Sequence, residues 1–289
     1  MDDLNLWKSP NSLVDNVYKK DNYEVVDYAN TNLCYIFFSS NGLFFPDTTS
    51  EFIDKIIDKD RYEWKRMASS NEVIKRSGRH IFVRDIYKQW YIKGINQEIN
   101  SIENLIFFLK ELTQGYEVIT VGSSAGGYIA ALIAAEISAK YCFDFSGQIS
   151  LWEAVKTNPF VKAGVKDNAV KKYYDISKLI GDSECIYYYF YPQYNAKDVE
   201  QFAKIRMYPN VRGFSFGEKN HAATMFAGNM RYIICKDHEY MERLYKHYEK
   251  KVINKLTFLA RTVPVSKVFM ILYKEVRHYI DRRKARTGS

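Results

Sequence analysis

The stretch that most constrains this chain is residues 116–139, YEVITVGSSAGGYIAALIAAEISA. A β-rich run, 116–121, enters Gly122-Ser123-Ser124-Ala125-Gly126-Gly127, and a run of small and apolar residues with helical character leaves it. Gly-x-Ser-x-Gly between a strand and a helix is the nucleophile-elbow pattern, in which a serine occupies a sharp, strained turn. Glycines two before and two after it, Gly122 and Gly126, remove side chains that would collide with the strand and the helix. The helix N-terminus behind Ser124 offers a positive dipole end and free N–H groups, suited to a developing oxyanion. The stretch has no dinucleotide fingerprint G-x-G-x-x-G and no phosphate loop closing in Gly-Lys-Ser/Thr.

Around this turn the chain alternates strand-like and helix-like segments. LCYIFF at 33–38 is a continuous apolar run, as expected of a strand buried on both faces. HIFVR at 80–84 and YCFDF at 141–145 read as strands, and 100–112 reads as an amphipathic helix. Strand, helix, strand, helix and strand in succession predict an α/β fold with a mostly parallel, doubly wound sheet. YEVVDY at 23–28 adds an edge strand, and CIYYYFY at 185–191 and VRGFSF at 211–216 add later ones. Helical character is expected over 48–57, 60–68 and 199–205. Residues 147–182, with Trp152, Lys162 and Lys166, break the rhythm and are expected to form a small lid over the site.

The length of 289 residues fits one large domain. We divide it into a core, 1–236, and a helical extension, 237–289. The formal net charge of +8 is unevenly spread, since 246–289 holds twelve Lys/Arg against three Asp/Glu and the rest is near neutral. That distribution argues against a nucleic-acid-binding body and for a basic tail with its own partner. The final helix, about 265–283, places Val268, Phe269, Leu272, Val276, Tyr279 and Ile280 on one face. Lys267, Lys274, Arg277, Arg282, Arg283, Lys284 and Arg286 lie on its other faces or at its end. This fits an anionic membrane surface or a protein partner along 265–286, or a helix packed on the body with a solvated basic face. Cys34, Cys142, Cys185 and Cys235 lack metal or redox spacing and read as reduced core residues of a cytoplasmic protein. The polar MDDLNLWKSP start shows no secretory signal, and no run is long and apolar enough to cross a membrane.

Carried by the elbow GSSAGG, the chain resembles the α/β-hydrolase superfamily over roughly 32–226. The resemblance implies a serine nucleophile, then an acid, then a histidine, in chain order. Ser124 is the nucleophile. His221, after the last strand, is the general base; His80 stands at the wrong end of its strand, and His238, His247 and His278 fall in the C-terminal helices. The acid should follow the strand at 185–191, where Asp198 fits best and Glu200 and Asp182 are alternatives; Pro192-Gln-Tyr-Asn195 replaces the usual Gly-x-x-Asp turn. The oxyanion hole is implied to be the Ala125 N–H with a second N–H from the loop Ser39-Ser40-Asn41, Ser39 and Ser40 being the candidates. Asn41 and Gln148 are expected at the substrate pocket, with the aromatic loop 85–91 near it.

FFSSNG, GSSAGG, FSGQ and the later Asp198…His221 pair are also similar to hydrolase-fold proteins of bacterial surface-polysaccharide loci. Some of these are O-acetyltransferases or deacetylases of capsule sugars. The resemblance implies acyl transfer through acyl-Ser124, on a carbohydrate or small ester, with no bound cofactor or metal and acetyl-CoA as co-substrate for a transferase. A cytoplasmic enzyme with a basic tail would suit modification of a glycan intermediate held at the inner face of the membrane. A general carboxylesterase and a catalytically silent scaffold are the competing readings.

Overall fold

Continuous apolar runs become the strands of this protein because both faces of the sheet are covered. In β2, Leu33–Phe38, the side chains of Cys34, Ile36 and Phe38 enter one core cluster, and those of Tyr35 and Phe37 enter the other. The computed structural model describes residue 4 and residues 11–29, 31–157, 162 and 168–287. Its other strands are β1 (Tyr23–Asp27), β3 (Arg79–Val83), β4 (Glu117–Ser123), β5 (Tyr141–Phe145), β6 (Ile186–Pro192) and β7 (Val211–Phe216). They form one seven-stranded sheet in the order β1-β3-β2-β4-β5-β6-β7. β1 runs antiparallel to β3 at one edge, and every other neighbouring pair is parallel. The expected mostly parallel, doubly wound sheet is present.

The helices Ile102–Leu112 and Ala125–Glu136 cover one face of the sheet. The second of these is buried from Ala125 to Ala134, which explains why it is apolar all round. On the other face, Met241, Leu244 and Tyr248 of the helix His238–Tyr248 join Phe258 of the helix Lys255–Thr262 against Phe190, Phe214 and Phe216. Burying one such side chain contributes about 1.5–3 kcal/mol. Cys34, Cys142 and Cys185 are buried, Cys235 is half-buried, and all four are free thiols.

Three local departures have side-chain causes. The segment 60–68 is helical only over Lys65–Ala68. Its first half is pulled onto the loop after β2, with the Trp64 indole N–H donating to Phe38 O at 2.8 Å and the Glu63 carboxylate taking the Ser40 N–H. The helix Ala196–Ala203 starts earlier than 199 because Asn195 caps it. The final helix, Val265–Thr287, divides the apolar face expected of it. Val268 and Leu272, with Ile271, pack on Tyr232, Leu259 and Val263, whereas Phe269, Val276 and Ile280 are exposed. The Tyr279 side chain and those of 282–287 lie outside the described residues. Of the segment 147–182, expected to form a lid, the helices Trp152–Thr157 and Ser177–Asp182 are described, with a Ser150–Asp175 bridge before them; Lys166 lies outside the described residues. Among the described residues no helix is long and apolar enough to cross a membrane.

Candidate active site

Ser124 sits between β4 and the helix Ala125–Glu136 with φ 53° and ψ −120°. A non-glycine residue in such backbone costs on the order of 1–3 kcal/mol and persists only where its surroundings hold it. Here the Ser124 N–H donates to Phe145 O at 3.1 Å, and Ser124 O accepts from the Tyr128 N–H at 3.0 Å. The neighbouring glycines are enforced by contact. A Cβ on Gly122 would lie 2.0 Å from Gly126 O, and one on Gly126 would lie 2.4 Å from Phe38 O.

The partners of Ser124 come from adjacent strands. β6 and β7 are parallel neighbours, so the loops beyond their C-terminal ends run side by side. Backbone bonds stitch them together: the Gln193 N–H donates to Phe216 O at 2.7 Å, and the Tyr194 N–H to Glu218 O at 2.9 Å. Asn195 Oδ1 accepts the Asp198 N–H at 3.2 Å, so the cap is Asn195 and the Asp198 carboxylate is free for other work. Asp198 Oδ1 lies 2.7 Å from His221 Nδ1, and His221 Nε2 lies 2.9 Å from Ser124 Oγ. Asp198 is 2% exposed, whereas the His221 side chain is 42% exposed at the mouth of the site. A buried carboxylate on Nδ1 keeps the proton there and leaves the Nε2 lone pair facing the hydroxyl.

The competing residues fall elsewhere. Glu200 lines the cleft without bonding His221, and Asp182 ends the helix Ser177–Asp182. His80 is buried, with Nε2 2.6 Å from Ser77 Oγ, and burial pulls its pKa down to about 4. His238 Nδ1 lies 3.2 Å from the Tyr188 hydroxyl, and His247 stacks edge-on against Tyr248. The His278 side chain lies outside the described residues.

Phe38 pairs with Gly122 in the sheet, which carries the loop after β2 to the elbow. The Ser39 N–H is spent on Val83 O at 2.9 Å, and the Ser40 N–H and hydroxyl both go to Glu63. The expectation that Ser39 or Ser40 supplies the second oxyanion N–H is therefore corrected, because both amides are already engaged; among the described residues the Asn41 N–H has no hydrogen-bond partner. It is the unengaged amide between Ser39 and Asn41, and Ala125 contributes the first N–H of the elbow helix. Asn41 is not among the cleft-lining residues; Gln148 is.

The aromatic loop after β3 turns around a buried carboxylate. Asp85 Oδ1 accepts the Tyr87 N–H at 3.0 Å, and Oδ2 accepts those of Gln89 at 2.6 Å and Tyr91 at 3.0 Å. These bonds hold Lys88, Trp90 and Tyr91 at φ 52°, 54° and 61°. Burial raises the Asp85 carboxyl to about 6, against the amides that lower it. Two side chains are aimed as a result. The Tyr91 hydroxyl donates to Ser39 O at 2.8 Å, and the Trp90 indole N–H donates to Gln148 Oε1 at 2.8 Å. Trp90, Gln148, Glu153, Lys197, Glu200 and His221 line a cleft of roughly 610 Å³.

Sequence reasoning missed Asp85 as an organiser, Glu63 and Asp144. Asp144 lies under the elbow, its Oδ1 accepting the Gly147 N–H at 2.6 Å, and burial raises its pKa to about 8. An acid inside the apolar strand YCFDF was its visible signal. Among the described residues no cluster of His, Cys, Asp or Glu is arranged to hold a metal.

No protein-family model and no curated protein matches the chain. Solved structures do. A capsule O-acetyltransferase of Neisseria meningitidis serogroup A is 12% identical with a TM-score of 0.50, over 78% of this chain and 92% of that one. A mutant of that enzyme in complex with CoA matches at 12% identity and a TM-score of 0.49, with the same coverage. An α/β-hydrolase enzyme from a lagoon-sediment metagenome matches at 13% identity and a TM-score of 0.44, over 80% of this chain and 96% of that one. The chain has the α/β-hydrolase fold, and in that fold it resembles an enzyme of capsule O-acetylation.

Proposed function

We propose that this protein is a serine acyl-transfer enzyme acting on O-acyl groups of a carbohydrate. The observation that carries the reading is the line Ser124 Oγ, His221 Nε2, His221 Nδ1, Asp198 Oδ1, with separations of 2.9 and 2.7 Å across its two hydrogen bonds. In the proposed reaction Ser124 Oγ attacks the acyl carbonyl carbon while His221 Nε2 takes its proton. The charge on the carbonyl oxygen is received by the N–H groups of Ala125 and Asn41. His221 then returns the proton to the leaving group, and the acyl group rests on Ser124. An incoming hydroxyl, deprotonated by the same imidazole, attacks that ester and frees the serine. Asp198 orients the imidazole through Nδ1 and stabilises the imidazolium.

The cleft supports a sugar rather than a lipid tail. Its described lining combines one indole with three amides, three carboxylates, two hydroxyls, an ammonium and the imidazole. The polar groups match the hydroxyls of a sugar, and Trp90, 6% exposed, borders them. Acceptor water makes the enzyme an O-acetylesterase. A sugar hydroxyl, with acetyl-CoA as donor, makes it an O-acetyltransferase, the reading that the capsule enzyme among the similar structures favours.

The test is a fluorophosphonate probe on wild type, Ser124→Ala and His221→Ala. Wild type alone should be labelled, and both variants should lose turnover by roughly 10⁴-fold or more. Incubation with acetyl-CoA and oligosaccharide then separates transfer from hydrolysis by whether the acetyl group appears on sugar or as free acetate. A folded wild type that the probe leaves unlabelled would sink the proposal. Rapid hydrolysis of simple aryl esters with no turnover of acetylated sugars would make the enzyme a general carboxylesterase.

A further inference from the structure

Two carboxamides in the cleft have their orientation settled by the protein around them. Gln201 Oε1 accepts the Ile149 and Ser150 N–H groups, both at 2.8 Å. Gln148 Oε1 accepts the Trp90 indole N–H at 2.8 Å. An N–H donor is met only by the oxygen of a carboxamide, so in both residues the nitrogen must take the other position. Among the described residues neither Nε2 has a hydrogen-bond partner, and neither is sealed in the interior without one. The two side chains belong to one construction. Gln201 stands one helical turn beyond Asp198 on the helix Ala196–Ala203, so both project from the same face. Its grip on Ile149 and Ser150 ties that helix to the loop carrying Gln148. Gln148, Gln201, Asp198 and His221 line the same cleft.

A fixed amide nitrogen serves any oxygen lone pair, whether of a hydroxyl, a carbonyl or a carboxylate. Charge decides among them. In the described lining Glu153, Asp198 and Glu200 stand against one ammonium, that of Lys197. Lys156 offsets Glu153 from outside the lining at 3.1 Å, and Asp198 is engaged by His221. Glu200 is exposed and has no ion pair among the described residues. An anionic substrate would meet like charge here, whereas the hydroxyls of an uncharged sugar can accept from the amides and donate to the carboxylates. We infer that Gln148 and Gln201 are specificity-determining residues, which hold an uncharged sugar by its oxygen lone pairs in a cleft that disfavours uronic acids. The inference rests on the reading of this cleft as a carbohydrate site.

The test is calorimetric titration of the full-length protein with uncharged gluco-, galacto- and manno-oligosaccharides and with their uronic-acid counterparts. These sugars carry no acyl group, so the titration reads binding whether or not Ser124 turns over. An uncharged sugar should bind, and its uronic-acid counterpart should bind about tenfold more weakly, with the gap closing as salt is raised. Gln148→Glu and Gln201→Glu are isosteres that keep the anchored Oε1 bonds and turn the other atom from donor to acceptor. Each should weaken the uncharged sugar by about tenfold, at an unchanged urea midpoint. Either variant alone carries the test if the other fails to fold. Glu200→Gln should narrow the gap between uncharged and uronic sugars. Tighter binding of the uronic sugars, wild-type affinity in the two glutamate variants, or no binding of any uncharged sugar would each overturn the inference. Fluorophosphonate labelling of wild type judges the serine chemistry separately. A labelled protein that binds no uncharged sugar loses this inference alone, and an unlabelled one that binds as described keeps it and loses the serine mechanism.

Discussion

At the scale of single residues, the elbow shows how tightly a sequence pattern is tied to atomic contact. Gly122, Ser124 and Gly126 were legible together because a turn this sharp leaves no room for a Cβ at either glycine. The structure supplies the reason, with Gly126 held against the backbone of Phe38. Gly126→Ala should therefore lower stability by about 2–4 kcal/mol through overpacking, readable as a shift in the urea midpoint. It should also displace the loop after β2. His221 was legible from its place after the last strand. Asp198 was less so, since an acid in the first turn of a helix is commonly a cap. Asn195 takes that task and leaves the carboxylate for the imidazole.

At the scale of elements, the strands were readable and several loops were not. Both-face burial writes a continuous apolar run into the sequence, and LCYIFF, YCFDF and VRGFSF are all strands at their expected limits. The loop 85–91 carries no such record, because its shape comes from backbone amides converging on one carboxylate and from positive φ at non-glycine residues. Glu63 was hidden for the same reason, its partner being a main-chain N–H far away in sequence. Asp85 positions two other groups, Tyr91 against Ser39 O and Trp90 against Gln148. Asp85→Asn removes the charge that gathers the amides, and turnover is expected to fall by about tenfold. The pH dependence separates this role from a general loss of stability. The Asp85 carboxyl is raised to about 6 by burial, so wild type itself loses that charge as pH falls through about 6. The wild-type to variant ratio of kcat should be largest above that pH and approach one below it, measured on the same substrate.

At the scale of the whole molecule, the chain order of strands says little about their order in the sheet. The sequence indicates parallel neighbours but does not reveal that β3 lies outside β2, or that β1 reverses against β3. It does show the asymmetry of charge, and the structure adds which apolar positions of the basic helix are already used. The sheet order has a further consequence. β4, which carries Ser124, is the fourth of seven strands, whereas β7, which precedes His221, is at an edge. Sheets open from their edges, so amide exchange should be slowest in β4 and β5 and faster in β7. The nucleophile and its base therefore belong to parts of the molecule that come undone at different free energies. On heating, the loop of His221 should detach while Ser124 is still held in its turn. Loss of activity should precede the far-ultraviolet melt by several degrees, and the early loss should reverse on cooling.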